Sequence, residues 1–264
     1  MRKTLGGELL IELVRKALRL TKRAFPLVWT ARALSSMARR LSSFIHWFQF
    51  NVEWGVDNPE YFDHHLDIHY QWRKTGNSLP MERGVHNSLA IKRGGRVLDL
   101  ACGDGFFTSY FYAIHAREII GVDFDKSALK LARQNRIFPN TRFLLADIRN
   151  ELPEGPFDNI VWDAAIEHFT EPEIIGLMGQ IKSRLSKDGI LSGYTVTEAE
   201  HGEKHLHQHE YEFHDKQDLA RFLKPHFKNV HVYESDFPTR TNLYFYASDA
   251  KLPLRSNRHL VIED

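Results

Sequence analysis

Between residues 94 and 250, short apolar runs alternate with helix-patterned stretches, and this alternation constrains the fold more than any other feature of the chain. RVLDLA (96–101), EIIGVDF (118–124), TRFLLAD (141–147), DNIVWDAA (158–165) and GILSGYTV (189–196) read as strands. GFFTSYFYAIHA (105–116), KSALKLARQN (126–135) and EPEIIGLMGQIKSRLS (171–186) read as helices between them. Strands alternating with helices at this spacing predict an α/β fold, with a parallel sheet covered on both faces. After Val196 the pattern changes to a polar, His-rich loop, a helix (215–227) and two strands, 229–235 and 242–249. The stretch between those strands is too short for a crossover helix, so they are expected to pair antiparallel.

The 264 residues are 42% hydrophobic and 26% charged, which excludes a disordered, collagen-like or coiled-coil chain. The single cysteine, Cys102, excludes an internal disulfide and a Cys-cluster metal site. The net charge of +1 hides a split. Residues 1–46 hold ten Lys/Arg and two acids, for +8, and the remainder holds 25 and 32, for −7. A basic arm on an acidic body is the expected organisation. Residues 1–50 form a basic amphipathic helical extension, 51–93 an aromatic and His-rich lid, 94–250 the main domain, and 251–264 a C-terminal tail.

The arm predicts two helices. In 8–23 Leu9, Leu10, Leu13, Ala17 and Leu20 recur at helical spacing among Arg15, Lys16, Arg19, Lys22 and Arg23, and Pro26 ends or kinks that helix. The second helix, about 27–50, carries Leu34, Met37, Leu41, Ile45 and Phe48. No window suits a transmembrane span and no signal-peptide pattern fits. A cytoplasmic location follows, with peripheral membrane contact through 8–23 as one reading of the arm. The other reading packs its apolar stripe on the body or on a partner chain.

The first strand runs into Cys102-Gly103-Asp104-Gly105 and then a helix. Two glycines separated by one residue let the backbone turn tightly and approach a ligand, and helix N-terminal amides point at it. Asp123 closes the next strand, where a carboxylate can accept ribose hydroxyls. The dinucleotide fingerprint fails at its third glycine, which is Thr108, and Asp99 lies just before the loop, where it would repel a pyrophosphate but receive an ammonium group. That combination points away from NAD and toward a zwitterionic nucleoside.

VLDLACGDG, GVDFD, FLLADI and the strand ending IEHF together resemble class I S-adenosylmethionine-dependent methyltransferases. The resemblance implies a Rossmann-like seven-stranded sheet of order 3-2-1-4-5-7-6 with strand 7 antiparallel and helices on both faces. It implies that Asp99, Ala101, Cys102, Gly103 and Gly105 hold the methionine part of the cofactor and that Asp123 takes the ribose. Phe124, Asp147 and Ile148 would surround the adenine. Ala101 stands where the family usually has Gly, a mild change if φ is negative there. In the lid, Arg73 could pair with the methionine carboxylate, and Trp72 could line the acceptor pocket among Trp54, Tyr61, His64, His65, His69 and Tyr70.

Methyl transfer is an in-line displacement that needs a positioned nucleophile and, for a hydroxyl, a base. Glu167 and His168 follow the fourth strand, and His209 and Tyr211 lie in the His-rich loop after the fifth. His168 and His209 are the expected catalytic groups with Glu167, and Tyr211 a pocket residue, because imidazole titrates near neutral pH. The alternative for Glu167 and His168 is capping of the next helix. If extended, His205, His207 and His209 share one face. Metal-assisted O-methyltransferases carry a similar E-x-x-E-H motif, whose first position here is Ala164. That likeness makes Glu167, His168 and His209 the candidate ligands for a divalent ion such as Mg2+. The expected reaction is O-methylation of a small-molecule, glycan or lipid-linked acceptor. The alternatives are an RNA 2′-O-methyltransferase and a non-catalytic cofactor-binding scaffold. The −7 body argues against nucleic acid, which needs a basic track.

Overall fold

The computed structural model describes residues 12–16, 25–53, 64, 76, 78–198, 204–206, 208–237 and 240–252. Trp54, Tyr61, His65, His69, Tyr70, Trp72, Arg73, His201 and His207 lie outside the described residues, as do most of the 8–23 stretch and the tail. The chain divides into two units, Met1–Pro59 and Glu60–Asp264.

The larger unit contains one seven-stranded sheet. Its strands are β1 (Arg96–Leu100), β2 (Glu118–Asp123), β3 (Thr141–Leu145), β4 (Phe157–Asp163), β5 (Leu185–Val196), β6 (Asn229–Phe237) and β7 (Arg240–Ser248). They are ordered β3-β2-β1-β4-β5-β7-β6. β1 to β5 pair parallel, and β7 enters antiparallel between β5 and β6. This is the expected order, and the reversed strand follows from the short β6–β7 connection.

Alternation along each strand divides the core. Leu98, Leu100, Ile120, Ile160 and Trp162 pack on one face with the helix Glu171–Arg184 and the helix Lys216–Leu223. Val97, Ile119 and Val161 pack on the other with Phe106, Phe107 and Tyr112. Asp99 and Asp163, each two residues beyond one of those valines, belong to that second face. The helix Leu79–Ala90 precedes β1.

Local chemistry sets the helix ends. Asp125 caps the helix Lys126–Asn135 by accepting from the Ser127 and Ala128 N–H groups at 2.6 and 3.2 Å. Glu173 reaches back to the Thr170 N–H and hydroxyl, each at 2.8 Å, in a capping box. Asp215 accepts from the Asp218 N–H at 2.8 Å. In chain order these helices are α2 (Leu79–Ala90), α3 (Lys126–Asn135), α4 (Glu171–Arg184) and α5 (Lys216–Leu223), following α1 (Phe25–Phe48) of the smaller unit.

Two expectations need correcting. The helix expected over 105–116 spans only 106–112 and ends in a π-helical turn, Thr108–Tyr112. Gly105, at φ +67°, holds the chain out of the helix for one more residue. Around His209 the described residues 204–206 and 208–210 form bends and turns rather than an extended segment, and His207 lies outside them.

In the smaller unit, Pro26 sits in the first turn of α1, where a missing N–H costs nothing, and so starts a helix there. Among the described residues, no helix is long and apolar enough to cross a membrane.

Candidate active site at the carboxyl edge of the sheet

Parallel strands leave a crevice outside their carboxyl ends, and the chain fills that edge with polar groups. The loop after β1 is drawn in tightly. Cys102 N–H donates to Val122 O at 3.0 Å, and Gly103 N–H to Asp123 Oδ2 at 2.8 Å. Asp123 Oδ1 accepts from the Asp125 N–H at 2.8 Å. Ala101, Gly103 and Gly105 all have positive φ, at 52°, 53° and 67°. Ala101 therefore corrects the expectation of a mild substitution, because an L-residue there carries left-handed strain. A Cβ on Gly103 would meet nothing within 4 Å, whereas one on Gly105 would lie 2.7 Å from Phe143 Cζ and 2.8 Å from Ala132 Cβ. Gly103 leaves room above the loop; Gly105 lets the loop close onto α3.

Three carboxylates surround this loop. Asp99 is buried, and burial pushes its carboxyl up to about 8, although the Thr108 hydroxyl donates to it. Burial also raises the Asp123 carboxyl, against the opposing Asp125 and Gly103 N–H groups. Burial works against ionisation of Asp104 as well, but there His64 prevails and holds the carboxyl below its usual range. His64 binds Asp104 through both its backbone N–H and its ring Nδ1, each at 3.0 Å, and stacks on Phe106. The structure thus gives one histidine of the 51–93 stretch a partner. Cys102 is held well above the ordinary thiol range by burial and by the same carboxylates, which suits a packing residue rather than a nucleophile. An edge this rich in buried carboxylate favours a cationic ligand.

Phe124 is 56% exposed beside the loop. Asp147 accepts from the Arg149 N–H at 3.0 Å, and Ile148 is buried in the core cluster beneath.

The second cluster joins β4, β5 and the loop after β5. Glu167, His168 and His209 place their ligand atoms within 4.8 Å of one another. Glu167 is buried and accepts from the Thr195 hydroxyl at 2.9 Å. His168 Nδ1 lies 3.3 Å from Gln208 O, and its ring meets that of His209 edge-on at 4.8 Å. His209 is buried, with Nδ1 on Glu212 Oε1, an oxygen that also accepts from the His205 N–H at 2.8 Å. Glu212 Oε2 and His205 Nε2 are buried without a hydrogen-bond partner among the described residues. Since Thr170 caps α4, neither Glu167 nor His168 does.

Tyr211, expected in the acceptor pocket, is half-buried and bonded to α5. Its hydroxyl donates to Asp218 at 3.0 Å and accepts from Arg221 at 2.7 Å, and its ring packs on Phe213 and Phe222. Those bonds tie its polar end to α5.

Sequence reasoning missed Glu212, whose spacing of three from His209 was the available signal. It also missed Arg83, which no pattern marks. Arg83, on α2, donates from Nε and Nη2 to Asp163 Oδ2 at 3.1 and 2.7 Å and lies 4.8 Å from the ring centroids of both Phe107 and Tyr194. Asn87 donates to Asp163 Oδ1 at 3.1 Å. Burial disfavours the guanidinium, but Asp163 outweighs it and keeps Arg83 charged.

Residues 91–225 match the family described as a methyltransferase domain. A ribosomal protein L11 methyltransferase of Neisseria gonorrhoeae is 31% identical over 115 residues, 42% of this chain and 36% of that protein. A Methanocaldococcus jannaschii protein, provisionally named a ribosomal RNA large subunit methyltransferase, is 40% identical over 74 residues. That match covers 28% of this chain and 19% of the relative, so the chain spans well under half the length of these curated relatives. Among solved structures, DhpI in its complex with SAH shares the fold, with a TM-score of 0.52 and 18% identity over 71% of this chain and 91% of that one. With that sheet order, that glycine loop and a family match over half its length, the chain belongs to the class I S-adenosylmethionine-dependent methyltransferases.

Proposed function

We propose that the chain transfers the methyl group of S-adenosylmethionine to a hydroxyl of a small-molecule, glycan or lipid-linked acceptor, with His209 as the base. The observation that carries this reading is the buried His209–Glu212 pair beside Glu167 and His168. With Nδ1 donating to Glu212, the ring's lone pair sits on Nε2, where it can take the hydroxyl proton. The hydroxyl oxygen then bonds to the methyl carbon, the carbon–sulfur bond breaks, and its electron pair neutralises the sulfonium. Glu212 steadies the imidazolium that forms.

In this reading Asp99, Ala101, Cys102, Gly103 and Gly105 hold the methionine part, Asp123 the ribose, and Phe124, Asp147 and Ile148 the adenine. The ring of carboxylates supports it, because the cofactor carries an ammonium and a sulfonium. Trp72 and Arg73 complete the assignment from sequence alone.

The cluster also favours a second reading. Glu167, His168 and His209 fit a divalent cation, since each histidine holds Nδ1 against an acceptor and so leaves Nε2 as its ligand atom, the usual support for a metal ligand. Two imidazoles and one carboxylate suit a borderline ion such as Zn2+ better than Mg2+. A cation there would supply Lewis acidity to the acceptor oxygen. A His209 ring that ligates through Nε2 cannot also take the proton, so the readings exclude each other.

The test is an acceptor screen with labelled cofactor over glycans, quinols, lipids and RNA, the last because of the archaeal relative's name. His209→Ala and Glu212→Gln are expected to lower turnover about a hundredfold while cofactor affinity holds. Full turnover in both would overturn the base. Activity lost to a chelator would replace it with the metal reading. Methylation confined to RNA would replace the acceptor class.

A further inference from the structure

We propose that α1 is an interfacial helix that lies in the headgroup layer of an anionic lipid bilayer. Its apolar side chains are on the outside. Leu34, Met37, Leu41 and Phe44 are 59%, 65%, 61% and 60% exposed, and Ile45 and Phe48 continue the same face at helical spacing. Large apolar groups concentrated on one exposed helix face mark a contact surface.

The opposite face says what that contact is. It carries Arg32, Ser35, Ser36, Arg39, Ser43 and His46, with Arg40 at the border between the faces beside Trp29 and Trp47. Several of these polar groups are satisfied inside the helix: Arg39 donates to Ser35 Oγ, and Ser43 donates to Arg39 O at 2.8 Å. The helix has no acidic residue, and residues 13–52 hold eight Lys/Arg and no Asp or Glu. A complementary surface is therefore both negative and apolar just beneath. Anionic lipid has that layering, with phosphates for the arginines and acyl chains for the leucines and phenylalanines. Tryptophans at the border suit the headgroup level. A second copy of α1 seated on the apolar face would leave the arginines of the opposite face without a negative partner. A spanning orientation would put Arg32, Arg39 and Arg40 in hydrocarbon, and α1 is not apolar enough to span. Lying flat, its 24 residues cover about 36 Å of membrane. The membrane contact expected of 8–23 falls mostly outside the described residues, and the contact proposed is that of α1 alone.

The full chain is to be sedimented with vesicles of phosphatidylcholine alone and with about a third phosphatidylglycerol. Partition is expected to be at least about tenfold stronger on the anionic vesicles and to weaken with salt. Arg39→Ala with Arg40→Ala is expected to weaken it about fivefold for each arginine. Leu41→Glu with Phe44→Glu, or the milder Leu41→Ser with Phe44→Ser, is expected to abolish it. Because these side chains are exposed, the helical content read by circular dichroism is expected to stay unchanged and reports that α1 is still folded. No partition, equal partition on neutral vesicles, or indifference to the Leu41 and Phe44 changes would overturn the proposal. So would a chain dimer that Leu41→Ser dissociates without any effect of lipid.

Discussion

At the scale of single residues, Gly103 and Gly105 look equivalent in sequence and differ in space. Both have positive φ, so alanine at either costs about 1 kcal/mol of left-handed strain. At Gly103 the new methyl meets nothing, whereas at Gly105 it drives into Phe143 and Ala132. Gly105→Ala is therefore expected to lose about 3 kcal/mol and Gly103→Ala about 1, measured by urea unfolding. Equal losses would show that α3 yields to the methyl. His86 makes a second case. It is half-buried, stacked on Tyr246 at 4.2 Å, and desolvation in that packing pushes its imidazole down to about 3. The unfolded ring binds a proton near 6.5 and the folded one does not. Its contribution to stability is present above pH 6.5 and is lost as pH falls toward 3. From pH 6.5 to 5.5 the chain is expected to lose about 1 kcal/mol more than His86→Phe, which keeps the stack but cannot titrate. Parallel slopes for the two proteins would refute this.

At the scale of elements, α2 and β4 meet through charge as well as apolar packing. Asp163 ends β4 on the face that also carries Asp99, and Arg83 of α2 is its counter-ion. Removing the guanidinium leaves Asp163 buried and unpaired beside a second carboxyl. Arg83→Met is expected to cost about 3 kcal/mol, and Arg83→Met with Asp163→Leu to recover much of it, because two apolar side chains need no counter-charge. If the double variant is no more stable than the single one, the pair does more than neutralise itself. The strands and most helices were legible to within a few residues, because period and capping are local. The α2–β4 pair was not, because its partners are 80 residues apart and neither belongs to a motif.

At the scale of the whole molecule, the division into two units predicts a division of labour. A chain lacking residues 1–53 is expected to bind S-adenosylhomocysteine within about twofold of the full chain, since contributions of independently packed units are nearly additive. Calorimetry checks this, and a large loss would tie the arm to cofactor binding. By itself the amino-acid sequence determined the alternating sheet, its single reversed strand, the glycine loop with its two aspartates and the basic amphipathic arm. Each of these is written in neighbouring residues, through periodicity, turn chemistry or charge. Only the tertiary structure decided that Ala101 is strained, that Tyr211 is tied to α5, and that Glu212 stands behind His209. It also decided that the large apolar side chains of α1 are exposed. Those properties depend on what lies beside a residue in space, and burial, backbone strain and hydrogen-bond partners are set by packing between segments that local sequence does not record.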